Sequence, residues 1–432
     1  MTVAERHEPF VTAYETLKQG PSAGPAWLRA SREDAMRRFA ANGFPSTRHE
    51  DWRFTNISPI ADTEFASDGP QPTPAQIASF LFPEANPLVA VIAGGRFSPS
   101  LSSLEGVPKG VVIGSLAEAV RGGGTAETLT TLAQGDHPFA WLNTGLFEDG
   151  VFVHVAAGVV LERPIQIHVA SEAGTDPVAT HPRVLIVADD NSQASVIESY
   201  GGPEGQTYFT NAITEIAVGA GAVVHHVKVQ RESRKAFHVS GTFATLQRGS
   251  VFSSHSISFG GAIVRNDITA LLDGEGAEAT LNGLYLADGD RLVDNHTVID
   301  HAKAHCPSHE VYKGVLGGKA RAVFNGKIFV RQDAQKTNAK QTNKALLLSD
   351  DAQINTKPQL EIFADDVKCT HGAAIGQLDE DALFYLRARG ISRLDAQHFL
   401  IRAFAGEVLQ GVKPAAIRDR LERLMLDALP RA

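Results

Sequence analysis

The chain has 432 residues, 43% of them apolar and 21% charged, with a net charge of −9, so it holds several domains or one elongated architecture. The acidic balance excludes a general nucleic-acid-binding role, and no stretch approaches the ~18 apolar residues that span a bilayer. Two cysteines, Cys306 and Cys369, exclude a disulfide scaffold, suit a reducing cytoplasm, and are too few for the usual four or so thiolate ligands of an iron–sulfur cluster.

The polar start, with Glu5, Arg6, His7 and Glu8, has no apolar signal-peptide core. Ser31 is placed to cap a helix with Glu33 and Asp34 in its first turn and Gly43 past its end. Gly69, Pro70, Pro72 and Pro74 then mark a linker. Residues 88–120 read as strand, turn, strand and helix, and Arg121 to Gly124 as a loop with no phosphate-binding fingerprint.

From about Phe147 short alternating runs recur, such as Val151 to Val155, Ile165 to Val169 and Val227 to Val229. Gly221, Gly249 and Gly276 repeat at roughly 28 residues, a spacing that marks stacked repeats. Small residues let each coil bend, and β-branched ones fill a narrow interior, so a solenoid is favoured over a sandwich. After His371 the pattern turns helical: Asp379 and Ser392 are capping residues, Gly390 a stop, and Pro414 opens a third helix. Leu383, Phe384, Leu386, Leu394, Phe399, Ile401 and Phe404 are the apolar positions of the first two helices. These helices either cap the solenoid's open edge or dock a partner. The expected division is 1–145 mixed helical, 146–372 parallel β-helix and 373–432 helical.

Four segments invite a chemical reading. The glycines from Gly314 to Lys319 fall one residue short of a phosphate-binding loop, and Ala320 stands where a hydroxyl is needed, so a solenoid turn is expected. His301, His305, Cys306 and His309 are good ligand types for a self-contained metal site. The competing reading is a polar seam of Asp294, Asn295, His296, Asp300 and His301, each satisfying another. The Asn- and Lys-rich segment 333–358 reads as an asparagine ladder or as a basic patch for a partner. In the fourth segment, period two puts Val367, Cys369 and His371 on one face. Spacing leaves Cys369 and His371 open between a soft-ligand pair and a buried structural pair.

The run from Val293 to Ser392, which contains VKCTHG, resembles the SufB/SufD family of iron–sulfur cluster assembly proteins, with weaker support from RHEDWRFTN and FAWLNTGLFEDG. SufB-type members carry more cysteines and a His-Glu-Ala sequence near this point, which sets the chain on the SufD side of the family. The resemblance implies a mainly β fold: a right-handed parallel β-helix flanked by an N-terminal α/β-helical segment and C-terminal helices. It implies a cytoplasmic, non-catalytic scaffold that pairs with SufB through the last coils and docks the ATPase SufC on its C-terminal helices. Self-pairing is left open where SufB is absent. His371 is implied to act on a transient iron–sulfur cluster together with a partner cysteine, with Cys369 as a neighbour. A reduced flavin accompanies the family complex, and ATP enters only through SufC. The alternative class is a β-helix carbohydrate-active enzyme, which needs a groove of acidic or basic catalytic residues along the solenoid.

Overall fold

The computed structural model describes residues 3–133 and 137–429. It is mainly β, as expected: a parallel β-solenoid of about eight coils follows an α/β region and precedes C-terminal helices. From Gln193 onward, successive strands fall alternately into two sheets, so each coil adds one rung to both. Over these strands the coil length runs from 26 residues (Phe237 to Ile263) to 32 (Arg321 to Gln353). Alternate side chains enter the lumen, where Val224, Phe252, Ala279 and Leu281 of one sheet meet Ile216, Ala244 and Ile268 of the other. Each fully buried Val, Leu, Ile or Phe among them contributes about 1.5–3 kcal/mol.

The glycine repeat has a backbone cause. Gly221, Gly249 and Gly276 take left-handed φ of 66°, 64° and 70°, and each donates its N–H to a carbonyl of the next coil. Asn191, His305 and Lys336 occupy the same place in other coils, with φ of 58°, 60° and 63° and the same inter-coil bond. The repeat is therefore longer than its glycines reveal.

The N-terminal region is joined to the solenoid by hydrogen bonds. Leu88–Ala93 pairs in parallel with Ile165–Ala170, so this early strand forms the first parallel rung of one sheet. The helix Ala26–Asn42 ends at Gly43 as expected but begins before Ser31, whose hydroxyl bonds Trp27 O at 3.2 Å inside the helix instead of capping it. The expected 121–124 loop is shorter too, because the helix Leu116–Gly122 runs into it. RHEDWRFTN docks on the outside of one sheet: the buried Arg265 guanidinium stacks 3.8 Å over Trp52 and pairs with Asp267 and Asp294, each at 2.9 Å. FAWLNTGLFEDG supplies Asn143, whose amide donates to Pro182 O and Asn211 O at 3.0 and 2.7 Å.

At the other end, Asp379 and Ser392 cap Glu380–Arg387 and Arg393–Gln410 as expected. The third helix, Arg418–Ala428, starts after a short turn, Ala415–Ile417, that follows Pro414. These helices do not cap the open edge. Ile401, Ala405, Val408, Leu421 and Met425 lie back along one sheet's outer face against Val227, Val229, Ile257, Leu284 and Val311. An apolar strip spanning several coils offers more buried area than the narrow end of the solenoid, so burial selects it. Lys313 Nζ fastens the second helix through Phe404 O and Glu407, both at 2.6 Å.

Candidate functional site at the open end of the solenoid

The last coil consists of Gln353–Ile362 and Lys368–Gly376, and each strand is paired on one side only. Their outer edges leave backbone N–H and C=O groups free for a further strand. Ile362, Phe363 and Ile375 are exposed beside these edges.

The Cys-x-His pair lies on the lumen side of this edge. Cys369 is in register with Ala339 and His371 with Gln341, so the alternation read from the sequence holds. The two side chains nevertheless differ in kind. Cys369 is half-buried among Ile328, Val330, Ala339 and Leu360. Burial pushes its thiol up, against a smaller downward effect of a hydrogen bond with the Ala339 backbone. It is a protonated, packed thiol at neutral pH. His371 is exposed, and among the described residues its ring makes no hydrogen bond or ion pair. Its ring nitrogens are free for a ligand.

The other histidine segment does not converge. The strand Leu292–His301 ends before His305, so the two imidazoles do not share a strand face. His301 is buried, 3.0 Å from Ser308 Oγ, and burial lowers it to about 4. His305 is the exposed left-handed turn residue, and His309 is exposed on the other sheet. Cys306 is fully buried, with Sγ donating to Gly274 O and Ala304 O at 3.3 and 3.4 Å. Among the described residues no group of three or more His, Cys, Asp or Glu side chains is placed to hold a metal ion. The polar seam is realised differently from the expectation. Asp294 meets His296 at 3.0 Å, but Asn295 accepts from Asn266 and Asp300 pairs with Arg331, one coil away in each case.

Gly317 to Ala320 form a turn between two strands, as the failed phosphate-loop motif implied. The 333–358 segment is not a continuous asparagine ladder. Asn343 bridges to Tyr312 O at 3.3 Å, while Asn338, Lys340 and Lys344 are exposed.

Two features escaped the sequence reading. The first is Glu310, fully buried in the lumen, whose Oε2 accepts from Gln341 Nε2 at 2.7 Å. Burial pushes its carboxyl up to about 7, beyond what the Gln341 amide and the nearby Thr297 hydroxyl offset. The alternation of Ser308, Glu310 and Tyr312 carries this signal, but only once the inward face of the strand is known. The second is an apolar surface on the C-terminal helices. Of the apolar positions expected there, Leu383 and Ile401 are buried, whereas Phe384 is 74% exposed and Phe399 51%, with Tyr385 and Leu394 also exposed.

Deeper in the lumen, Lys228 Nζ contacts His238 Nε2 and Asn266 Oδ1, each at 2.8 Å, and Glu232 meets His238 at 2.7 Å. These buried charges are paired within the coils, the arrangement that a low-dielectric interior demands.

Comparison with known proteins bears on the family of the chain. The family model "SUF system FeS cluster assembly, SufBD core domain" matches residues 168–404, and "SufBD protein N-terminal region" matches residues 7–167. An iron–sulfur cluster assembly SufBD family protein of Synechocystis is 34% identical, over 88% of this chain and 86% of its own. The SufD protein of Escherichia coli is 31% identical over 91% and 92%, and that of Bacillus subtilis 26% over 92% and 93%. Among the described residues no helix is long and apolar enough to cross a membrane. Matched from its N-terminal helices to its C-terminal ones, the chain belongs to the SufBD family of iron–sulfur cluster assembly proteins.

Proposed function

We propose that this chain is the SufD-type, non-catalytic scaffold subunit of a cluster assembly complex, and that its open solenoid end pairs with a SufB subunit. The observation that carries this reading is the free imidazole of His371 on an edge strand paired on one side only, beside the exposed Phe363 and Ile375. A partner strand added to these edges gains backbone hydrogen bonds and covers the apolar side chains. It also brings its own residues next to His371.

The nascent iron–sulfur cluster is the substrate here, not a resident cofactor. His371 contributes one nitrogen ligand to it, and a cysteine of SufB contributes thiolate. Cys369 is the weaker candidate, because burial keeps it protonated and packed. The SufC ATPase docks on the C-terminal helices, where Phe384, Tyr385 and Phe399 present aromatic anchors. ATP acts only through that subunit. The residues around His371 form an exposed edge rather than an enclosed slot for a planar ring, so no step is assigned to the reduced flavin.

The carbohydrate-active alternative gains no support. Glu198, Glu215 and Glu232 are enclosed and paired with His226, Arg183 and His238, not set along a groove.

The test is co-expression with SufB and SufC. His371→Ala is expected to leave the complex assembled and lower its cluster yield. A full cluster yield from that variant would remove His371 from the site.

A further inference from the structure

We infer that the lumen directly behind His371 is a hydrated polar well, and that Glu310 uses it to exchange a proton with the chemistry at the solenoid's mouth. The inference rests on the reading of His371 given above.

The ladder sets the geometry. Glu310 is in register with Gln341, and Gln341 with His371. Tyr312, Asn343 and Ala373 form the parallel row two residues on. Rungs are about 4.8 Å apart, so Glu310 lies about 10 Å behind His371 along one column. His371 and Ala373 of the exposed edge strand form the outer rung over a patch of four polar side chains.

Those side chains are not satisfied by one another. The Gln341 amide donates to Glu310 Oε2 at 2.7 Å. Yet Glu310 Oε1, Gln341 Oε1, Asn343 Oδ1 and the hydroxyls of Thr297, Tyr285 and Tyr312 are each buried with no partner at hydrogen-bond distance. Three acceptors and three hydroxyls thus share one enclosed patch without closing hydrogen bonds to one another, and an unsatisfied buried polar group costs about 1–3 kcal/mol. Internal water, which binds where two to four polar groups converge, bridges them.

Glu310 is the group in this patch able to give and take a proton near neutral pH. Leu281 and Gln341 flank it in its own sheet, and Thr297 faces it from the other; none is charged. The titratable groups nearby are Tyr312 and, beyond it, Tyr285, whose hydroxyls burial pushes up, so both remain neutral. Burial alone therefore places the Glu310 carboxyl at about 7.

Such a group has a use at this end of the molecule. Thiols and hydrogen sulfide must lose protons when they bind iron. The balanced step is proton transfer alone: the S–H bond breaks, its electron pair stays on sulfur, and the proton passes through well water to the Glu310 carboxylate, giving the acid.

The experiment is infrared difference spectroscopy on the isolated chain as wild type, Glu310→Gln and His371→Ala, titrated across neutral pH and then transferred to heavy water. The expected wild-type result is a carboxylic acid band with a midpoint near 7. It should shift on deuteration far faster than the chain unfolds, vanish in Glu310→Gln and persist in His371→Ala. A band that deuterates only at the rate of global unfolding, or no acid band near neutral pH, would overturn the well, and the wild-type measurement decides this without any variant. Because the readout needs neither cluster nor partner, full cluster assembly by His371→Ala would remove the His371 reading while leaving an observed Glu310 titration standing.

Discussion

His371 stands one rung beyond Gln341 in a parallel ladder, on the last strand of its sheet. The Gln341 amide reaches the other way, to Glu310. A free imidazole at the mouth is thus backed by a buried carboxyl, and the two are separated by one neutral side chain. The consequences are distinct for stability, thiol chemistry and partner binding.

The pH dependence of folding should carry a Glu310 signature. Its carboxyl is raised from 4.5 to about 7, so between those values the native state holds a proton that the unfolded chain has released. The associated stability is fully present below 4.5 and is lost as pH rises through 7. The loss amounts to about 3 kcal/mol in wild type and is absent in Glu310→Gln. Urea unfolding of both proteins on either side of this window checks it; parallel stability curves would contradict it.

The turn column gives a prediction of opposite sign at two positions. His305 holds a left-handed backbone at φ 60°, which a glycine adopts without strain. His305→Gly should stabilise the chain by up to about 1 kcal/mol, because the relieved strain exceeds the added unfolded-state freedom. Gly249→Ala at φ 64° should destabilise it by about 1–2 kcal/mol. Chemical denaturation of each variant measures both. A destabilised His305→Gly would restore a role for this side chain beyond the turn.

The two thiols should separate kinetically. Cys369 is half-buried with a raised thiol, and Cys306 is fully enclosed. Alkylation of the native chain at neutral pH should label Cys369 slowly and leave Cys306 until the chain unfolds. Rapid labelling of Cys369, at the rate of a free model thiol, would show an activated thiolate and promote it to a ligand.

The exposed aromatics on the C-terminal helices should matter for binding and not for folding. Phe384→Glu and Phe399→Glu change side chains that are 74% and 51% exposed. Their effect on stability should stay within about 0.5 kcal/mol. Capture of the ATPase subunit should fall at least tenfold, which titration calorimetry of the purified partners would read. Undiminished binding would move the docking surface elsewhere.

Much of the architecture was legible because its code is local. Alternation and the turn residues near Gly221, Gly249 and Gly276 reveal the coils, and Asp379 and Ser392 announce their helices. What was illegible depends on pairing across long separations. Leu88–Ala93 reads as a strand, but its partner begins at Ile165. The helix carrying Ile401 and Ala405 shows an apolar face, yet nothing in that face says whether it meets the solenoid's end or its side. The column from Glu310 through Gln341 to His371 depends on inter-coil offsets, which vary with turn length. Cys369 and His371 were read correctly as sharing a face, but their unequal exposure follows from the cluster around Ile328 and Val330.

The most direct measurement is spectroscopy of the complex co-expressed with SufB and SufC and purified without oxygen, as wild type and as His371→Ala. The expected result is an intact complex in both, with cluster absorption and iron and sulfide content several-fold lower in the variant. Equal cluster content in two equally assembled complexes would contradict the assignment of His371 to the site.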